Sequence, residues 1–137
     1  MFNRAPALHY DKAYCRIYFH NDVRAVHLDW NGQATPAQFR EACNFSLQLL
    51  IEKQAIKMVA DNSKVITVSV ENQNWLIEDW FPRAVEEGFQ YSAVIQSDKV
   101  SVQSALQLIV SKISNKLVVV QYFNHLNTAK DWLSQVK

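Results

Sequence analysis

From residue 56 onward the chain alternates short apolar, β-branched runs with longer stretches whose apolar residues recur at helical spacing. The strand-like runs are Ile56–Ala60, Phe89–Ile95 and Leu117–Tyr122. Between the first two, Leu76, Ile77, Trp80, Phe81, Ala84 and Val85 share one helical face. Between the last two, Val102, Leu106, Ile109, Val110 and Ile113 follow the i, i+4, i+7, i+8, i+11 rule. Strands alternating with helices over about 20 to 30 residues imply right-handed crossovers and a parallel sheet with helices on its faces. The alternation specifies an α/β fold.

The first third of the chain adds a hairpin. Ala13–Phe19 and Val23–Trp30 read as antiparallel strands around the polar break His20-Asn21-Asp22. Residues 1–12 have weak pattern and are expected to form an N-terminal arm. After Asn31-Gly32, Thr35-Pro36-Ala37-Gln38 opens a helix: Thr35 caps, Pro36 fits the first helical position, and Gln38 completes a capping box. This helix should run to about Lys53, as its apolar stripe does.

Ser69 should cap the second helix, with Glu71 suiting the dipole in the first turn. Pro82 predicts a kink near Glu78–Phe81, and Gly88 a C-terminal stop. Ser97 or Asp98 caps a third helix, Asn115-Lys116 is a turn, and Asn127 caps a last helix carrying Ala129, Trp132 and Leu133. The expected order is β-β-α-β-α-β-α-β-α, with five strands and about four helices in one domain over residues 1–137.

Composition excludes several function classes. Fourteen Lys and Arg against 13 Asp and Glu give +1, and the cations are scattered, so nucleic acid is not an expected partner. No apolar run reaches the ~18 residues of a transmembrane helix. The N-terminus lacks a signal-peptide pattern. Cys15 and Cys43 form no CxxC pair and read as buried small hydrophobes. The expected location is the cytoplasm. His9, His20, His27 and His125 lie on separate segments, and no Cys or carboxylate stands at metal-ligand spacing, so no metal is expected. His20 and His27 belong to one hairpin and meet only if the register brings them opposite. The G-x-S-x-G and phosphate-loop glycine patterns are absent, and no cofactor is expected.

Trp30-Asn31-Gly32, Val59-Ala60-Asp61-Asn62, Ser69-Val70-Glu71-Asn72-Gln73 with Trp75, Trp80-Phe81-Pro82-Arg83-Ala84 with Gly88, and Tyr122-Phe123-Asn124 with Ala129 and Trp132-Leu133 carry a resemblance. Over roughly residues 13–136 the chain resembles the STAS (SpoIIAA-like) superfamily. Within it, the chain looks like a stand-alone bacterial STAS-like protein. The resemblance implies a five-stranded mixed sheet, mostly parallel, in order 1-2-3-4-5 with strand 1 antiparallel. In signalling members a serine after the third strand is phosphorylated at the start of a helix. The matching stretch here, Asp61-Asn62-Ser63-Lys64-Val65, lacks the motif's Gly and Leu. Its helix also starts some six residues later, so a phosphate on Ser63 would lack amide and dipole support.

In parallel sheets, ligands meet the loops beyond the carboxyl ends of the strands. That rim carries Asn31, Asp61, Asn62, Ser63, Asp98 and His125. Asp61, Asp98 and His125 form an acid/base cluster if they converge; against that, Asp98 also caps a helix and Asp61 also ends a strand. Trp75 lies about 180° from the apolar face of its helix, where it covers the Val65–Val68 loop, lines a pocket or anchors a contact. Trp80 and Phe81 are the other bulky candidates. The leading expectation is a non-enzymatic interaction or regulatory module that binds a protein partner or itself. The alternative is a small apolar-ligand or lipid-binding domain resembling CRAL-TRIO domains, and the third is a hydrolase-like enzyme using Asp61 and His125.

Overall fold

The structure, a computed structural model, describes residues 5–113 and 118–136. Its sheet has six strands in sequential order: β1 (Ala7–Lys12), β2 (Cys15–His20), β3 (Ala25–Trp30), β4 (Lys57–Asp61), β5 (Tyr91–Ile95) and β6 (Val119–Phe123). β1, β2 and β3 pair antiparallel, and β3 to β6 pair parallel. The expected five strands are therefore six, and the order begins β-β-β. The extra strand is Ala7–Lys12, which falls in the expected N-terminal arm. Only Tyr10 of its six residues is buried, so no alternation marks it. Backbone pairing with β2 recruits it at the sheet edge, with a bulge between Leu8 and Tyr10.

α1 (Pro36–Lys53) starts with the full capping box: Gln38 N–H donates to Thr35 Oγ1 and Thr35 N–H to Gln38 Oε1. α2 (Val70–Trp75) is capped by Ser69 and carries Glu71 in its first turn. The irregularity expected near Pro82 is a π-helical turn at Leu76–Trp80, followed by α3 (Phe81–Glu86). Pro82 has no N–H to continue the ladder, and the preceding turn widens so that Phe81 N–H reaches Leu76 O. Gly88, at φ +103, follows the last turn of this rod.

α4 (Val100–Ile113) is preceded by Ser97, whose Oγ accepts from Lys99 N–H at 3.1 Å, while Asp98 is exposed. α5 (Leu126–Gln135) begins after His125, not at the expected cap Asn127, and no side chain among the described residues bonds to its N-terminal amides. The expected Asn115-Lys116 turn, and Leu117 at the start of the last strand, lie outside the described residues.

The strand pleat sends alternate residues to two cores. Val26, Leu28 and Met58 join the larger core with α1 and the α2–α3 rod, centred on Phe19, Leu50, Trp80 and Phe89. Ala25, Val59, Ala93 and Ile95 face α5, where Ala129 and Leu133 are fully buried. Each fully buried aliphatic or aromatic side chain contributes about 1.5–3 kcal/mol. Lys57 Nζ donates to Leu133 O at 2.6 Å and ties the end of α5 to β4.

Candidate functional site

A cavity of about 200 Å³ lies between the sheet, the α2–α3 rod and α4. Its floor is small side chains, among them Ala60, Ser92, Val94 and Val120. Its far wall is the apolar stripe of α4: Leu106, Ile109, Val110 and Ile113. The stripe that reads as core in the sequence thus meets a floor too shallow to fill the space. Ile109 and Ile113 are buried while facing that void.

The π-helical turn shapes the near wall. Widening the turn brings Leu76, Trp80 and Phe81 to the cavity together. Trp80 is pinned: its indole N–H donates to Cys43 O at 2.8 Å, and its ring meets Phe81 and Phe89 edge-on at 4.9 and 5.9 Å.

The side-chain amides gather at the end nearest the carboxyl ends of the strands, while Ser92 lies near the amino ends, level with Met58 and Val120. Asn62, 7% exposed, donates from Nδ2 to Ala60 O. Asn72 is 6% exposed, and its Oδ1 has no hydrogen-bond partner among the described residues. No Asp, Glu, Lys, Arg or His side chain lines the cavity among the described residues. Such a space can take an uncharged molecule. A dry apolar cavity of ~150 Å³ accepts benzene, so this one accepts roughly eight to ten non-hydrogen atoms.

The rim residues are dispersed by comparison. Asn31 Nδ2 donates to Ala13 O and stitches a turn. Asp61 Oδ1 accepts from Ser63 N–H at 3.0 Å and Ser63 Oγ at 2.7 Å, which closes the loop after β4. Ser63 is exposed on that loop, six residues ahead of the Ser69 cap. Asp98 and His125 are exposed, and no hydrogen bond joins Asp61 to His125 among the described residues. Of the rim set, only Asn62 lines the cavity.

Trp80 and Phe81 line the cavity, and Trp75 does not. Trp75 instead packs on α1, edge-on to Phe39 at 6.3 Å and beneath the Arg40 guanidinium at 5.4 Å. Sequence reasoning missed Asn72 and Ser92. Asn72, Leu76 and Trp80 stand at i, i+4 and i+8, so a polar residue on a buried stripe was the available signal.

A second polar cluster lies on the α5 face. The register pairs Tyr18 with His27 and His20 with Ala25, which sets the two imidazoles diagonally, and His20 Nε2 is 2.9 Å from His27 Nδ1. Both rings are buried, and burial lowers both to about 4; the neighbouring His27 lowers His20 further, while Asp61 partly opposes the shift at His27. Lys130, paired with Asp22 at 2.7 Å, adds to the lowering of both.

Among the described residues no group of three or more His, Cys, Asp or Glu is placed to hold a metal ion, and no helix is long and apolar enough to cross a membrane.

Comparison with known proteins matches a SpoIIAA-like family model over residues 25–134. Among solved structures, the chain is similar to a protein of the DUF3478 family with a SpoIIAA-like fold from Shewanella loihica PV-4. The two are 15% identical, with a TM-score of 0.61 covering 97% of this chain and 98% of that one. Comparison with curated proteins finds no match.

Proposed function

The chain belongs to the SpoIIAA-like family, and on that premise we propose that it is a non-catalytic binding module for a small apolar ligand. The observation that carries this reading is the uncharged cavity between α4 and the sheet. Apolar walls that do not meet across a space of this size forfeit dispersion contacts, and a bound apolar molecule restores them. Of the three functions expected from the sequence, it favours the apolar-ligand module. The rim supports an acid/base mechanism less well, because Ser63 engages the Asp61 carboxylate and His125 is exposed.

Titration calorimetry with n-propylbenzene tests the proposal. We expect saturable one-to-one binding to the wild-type protein and none to Val110→Trp, whose indole fills the cavity from α4. Equal binding by a folded Val110→Trp variant overturns it.

A second reading, self-association through the strand-end rim, is supported by three exposed apolar residues on neighbouring segments: Ile66 at 56%, Val70 at 70% and Val100 at 74%. Its test is the sedimentation coefficient across protein concentration. A dimer that Val70→Asp disperses supports it, and a monomer throughout rejects it.

A further inference from the structure

The side-chain amides that line the cavity lie toward one end of it. At the end nearest the amino ends of the strands it meets Met58, Phe89, Ile113 and Val120, with the small Ser92 between Met58 and Val120. Toward the carboxyl ends it meets Asn62 and Asn72. The α2–α3 rod sets this direction: Asn72 sits in its first turn and Trp80 two turns further on, nearer Phe89.

Asn72 is an anomaly at that end of the cavity. Its Oδ1 is buried without a hydrogen-bond partner among the described residues, and a buried amide oxygen in that state is costly. No donor among the described residues makes a hydrogen bond to it, and the nearby Asn62 Nδ2 donates to Ala60 O instead. The cavity end therefore presents an acceptor in need of a donor, with no charged side chain lining the space among the described residues.

We infer that the ligand is a neutral single-chain amphiphile whose head donates a hydrogen bond to Asn72 Oδ1, with its apolar tail against Trp80, Ile109 and Val120. This rests on the apolar-ligand reading and narrows it. The head class is a hydroxyl or a primary amide. A carboxylate is acceptor-only when ionised, so it leaves Asn72 Oδ1 without a donor, and it brings a charge into a space that no charged side chain lines among the described residues. The tail is short, as the cavity's size allows roughly eight to ten non-hydrogen atoms in all.

Calorimetric titration with n-propylbenzene, 1-octanol and sodium octanoate at pH 7.5 tests this on the wild-type protein and on Asn72→Leu. The wild type binds 1-octanol at least ~10-fold more tightly than octanoate. Asn72→Leu weakens 1-octanol roughly 5- to 10-fold, the worth of one buried hydrogen bond, and leaves n-propylbenzene unchanged or tighter. Octanoate binding as tightly as octanol overturns the inference, without recourse to any variant. So does equal loss of octanol and n-propylbenzene in a folded Asn72→Leu protein. If n-propylbenzene fails to bind the wild type, the apolar-ligand reading itself falls and takes the inference with it. If it binds while octanol shows no dependence on Asn72, only the head assignment falls.

Discussion

His20 Nε2 and His27 Nδ1 lie 2.9 Å apart between two buried rings on adjacent strands, which makes the pair a neutral hydrogen-bonded unit. His27 Nε2 has no partner among the described residues. A buried orphan donor is rarer than a bare lone pair, so His27 Nδ1–H donates to His20 Nε2. Protonating both rings replaces this bond with two facing donors.

That geometry predicts acid sensitivity. Both imidazoles titrate near 4 in the folded protein, against about 6.5 unfolded, so the unfolded chain binds more protons below neutrality. Stability is full above about pH 6.5 and falls as the pH drops from there toward 4. Urea denaturation should give a protein less stable at pH 5 than at pH 7 by on the order of 2–3 kcal/mol. A His20→Phe/His27→Leu double variant should lose most of that difference; an unchanged difference assigns the acid sensitivity elsewhere.

Trp80→Phe should destabilise the fold by about 1–3 kcal/mol, through the lost bond to Cys43 O and the enlarged void beside Phe81. The same variant gains room for ligand. Urea midpoints and n-propylbenzene affinity should move in opposite directions: lower stability, equal or tighter binding. A variant as stable as wild type contradicts the anchoring role of the indole.

Gly88 sits at φ +103 with nothing within 4 Å of the place a Cβ would occupy. The cost of Gly88→Ala is then backbone strain alone, about 1 kcal/mol. Thermal denaturation should show a lowered midpoint that Gly88→Asn partly restores, since Asn tolerates positive φ better. Equal loss for both variants means that the turn rejects side chains for another reason.

What the sequence made legible were the features that local chemistry writes. The Thr35 capping box, the Ser69 cap and the α4 stripe each depend on residues a few positions apart, and all are present. β1 was hidden because one buried residue, Tyr10, leaves no period to read. The start of α5 shifted from Asn127 to His125 because backbone contacts, with no capping side chain, begin that helix. The cavity was invisible for a different reason. Leu106, Ile109 and Val110 keep one pattern whether they pack on a sheet or face a void, and small side chains at Ala60 and Ser92 decide which. The meeting of His20 with His27 likewise needed the register of β2 on β3, which no short-range signal carries.

Ser63 makes a further test of the rim. Its hydroxyl donates to Asp61 at 2.7 Å, so a carboxylate at this position faces another carboxylate. Ser63→Glu should lose up to about 1 kcal/mol against Ser63→Ala at low salt, and high salt should narrow the gap. Equal stability of the two variants at low salt shows that the loop after β4 accommodates a negative charge.

The apolar ligand seat proposed between α4 and the sheet is open to a direct physical probe. A xenon-pressurised crystal reports on that space directly, since dry apolar cavities of this size take up xenon. The expected result is a strong anomalous peak bounded by Trp80, Ile109 and Val120. Leu106 and Ile109 packed down on Ser92 and Val94, with no xenon between them, would contradict it.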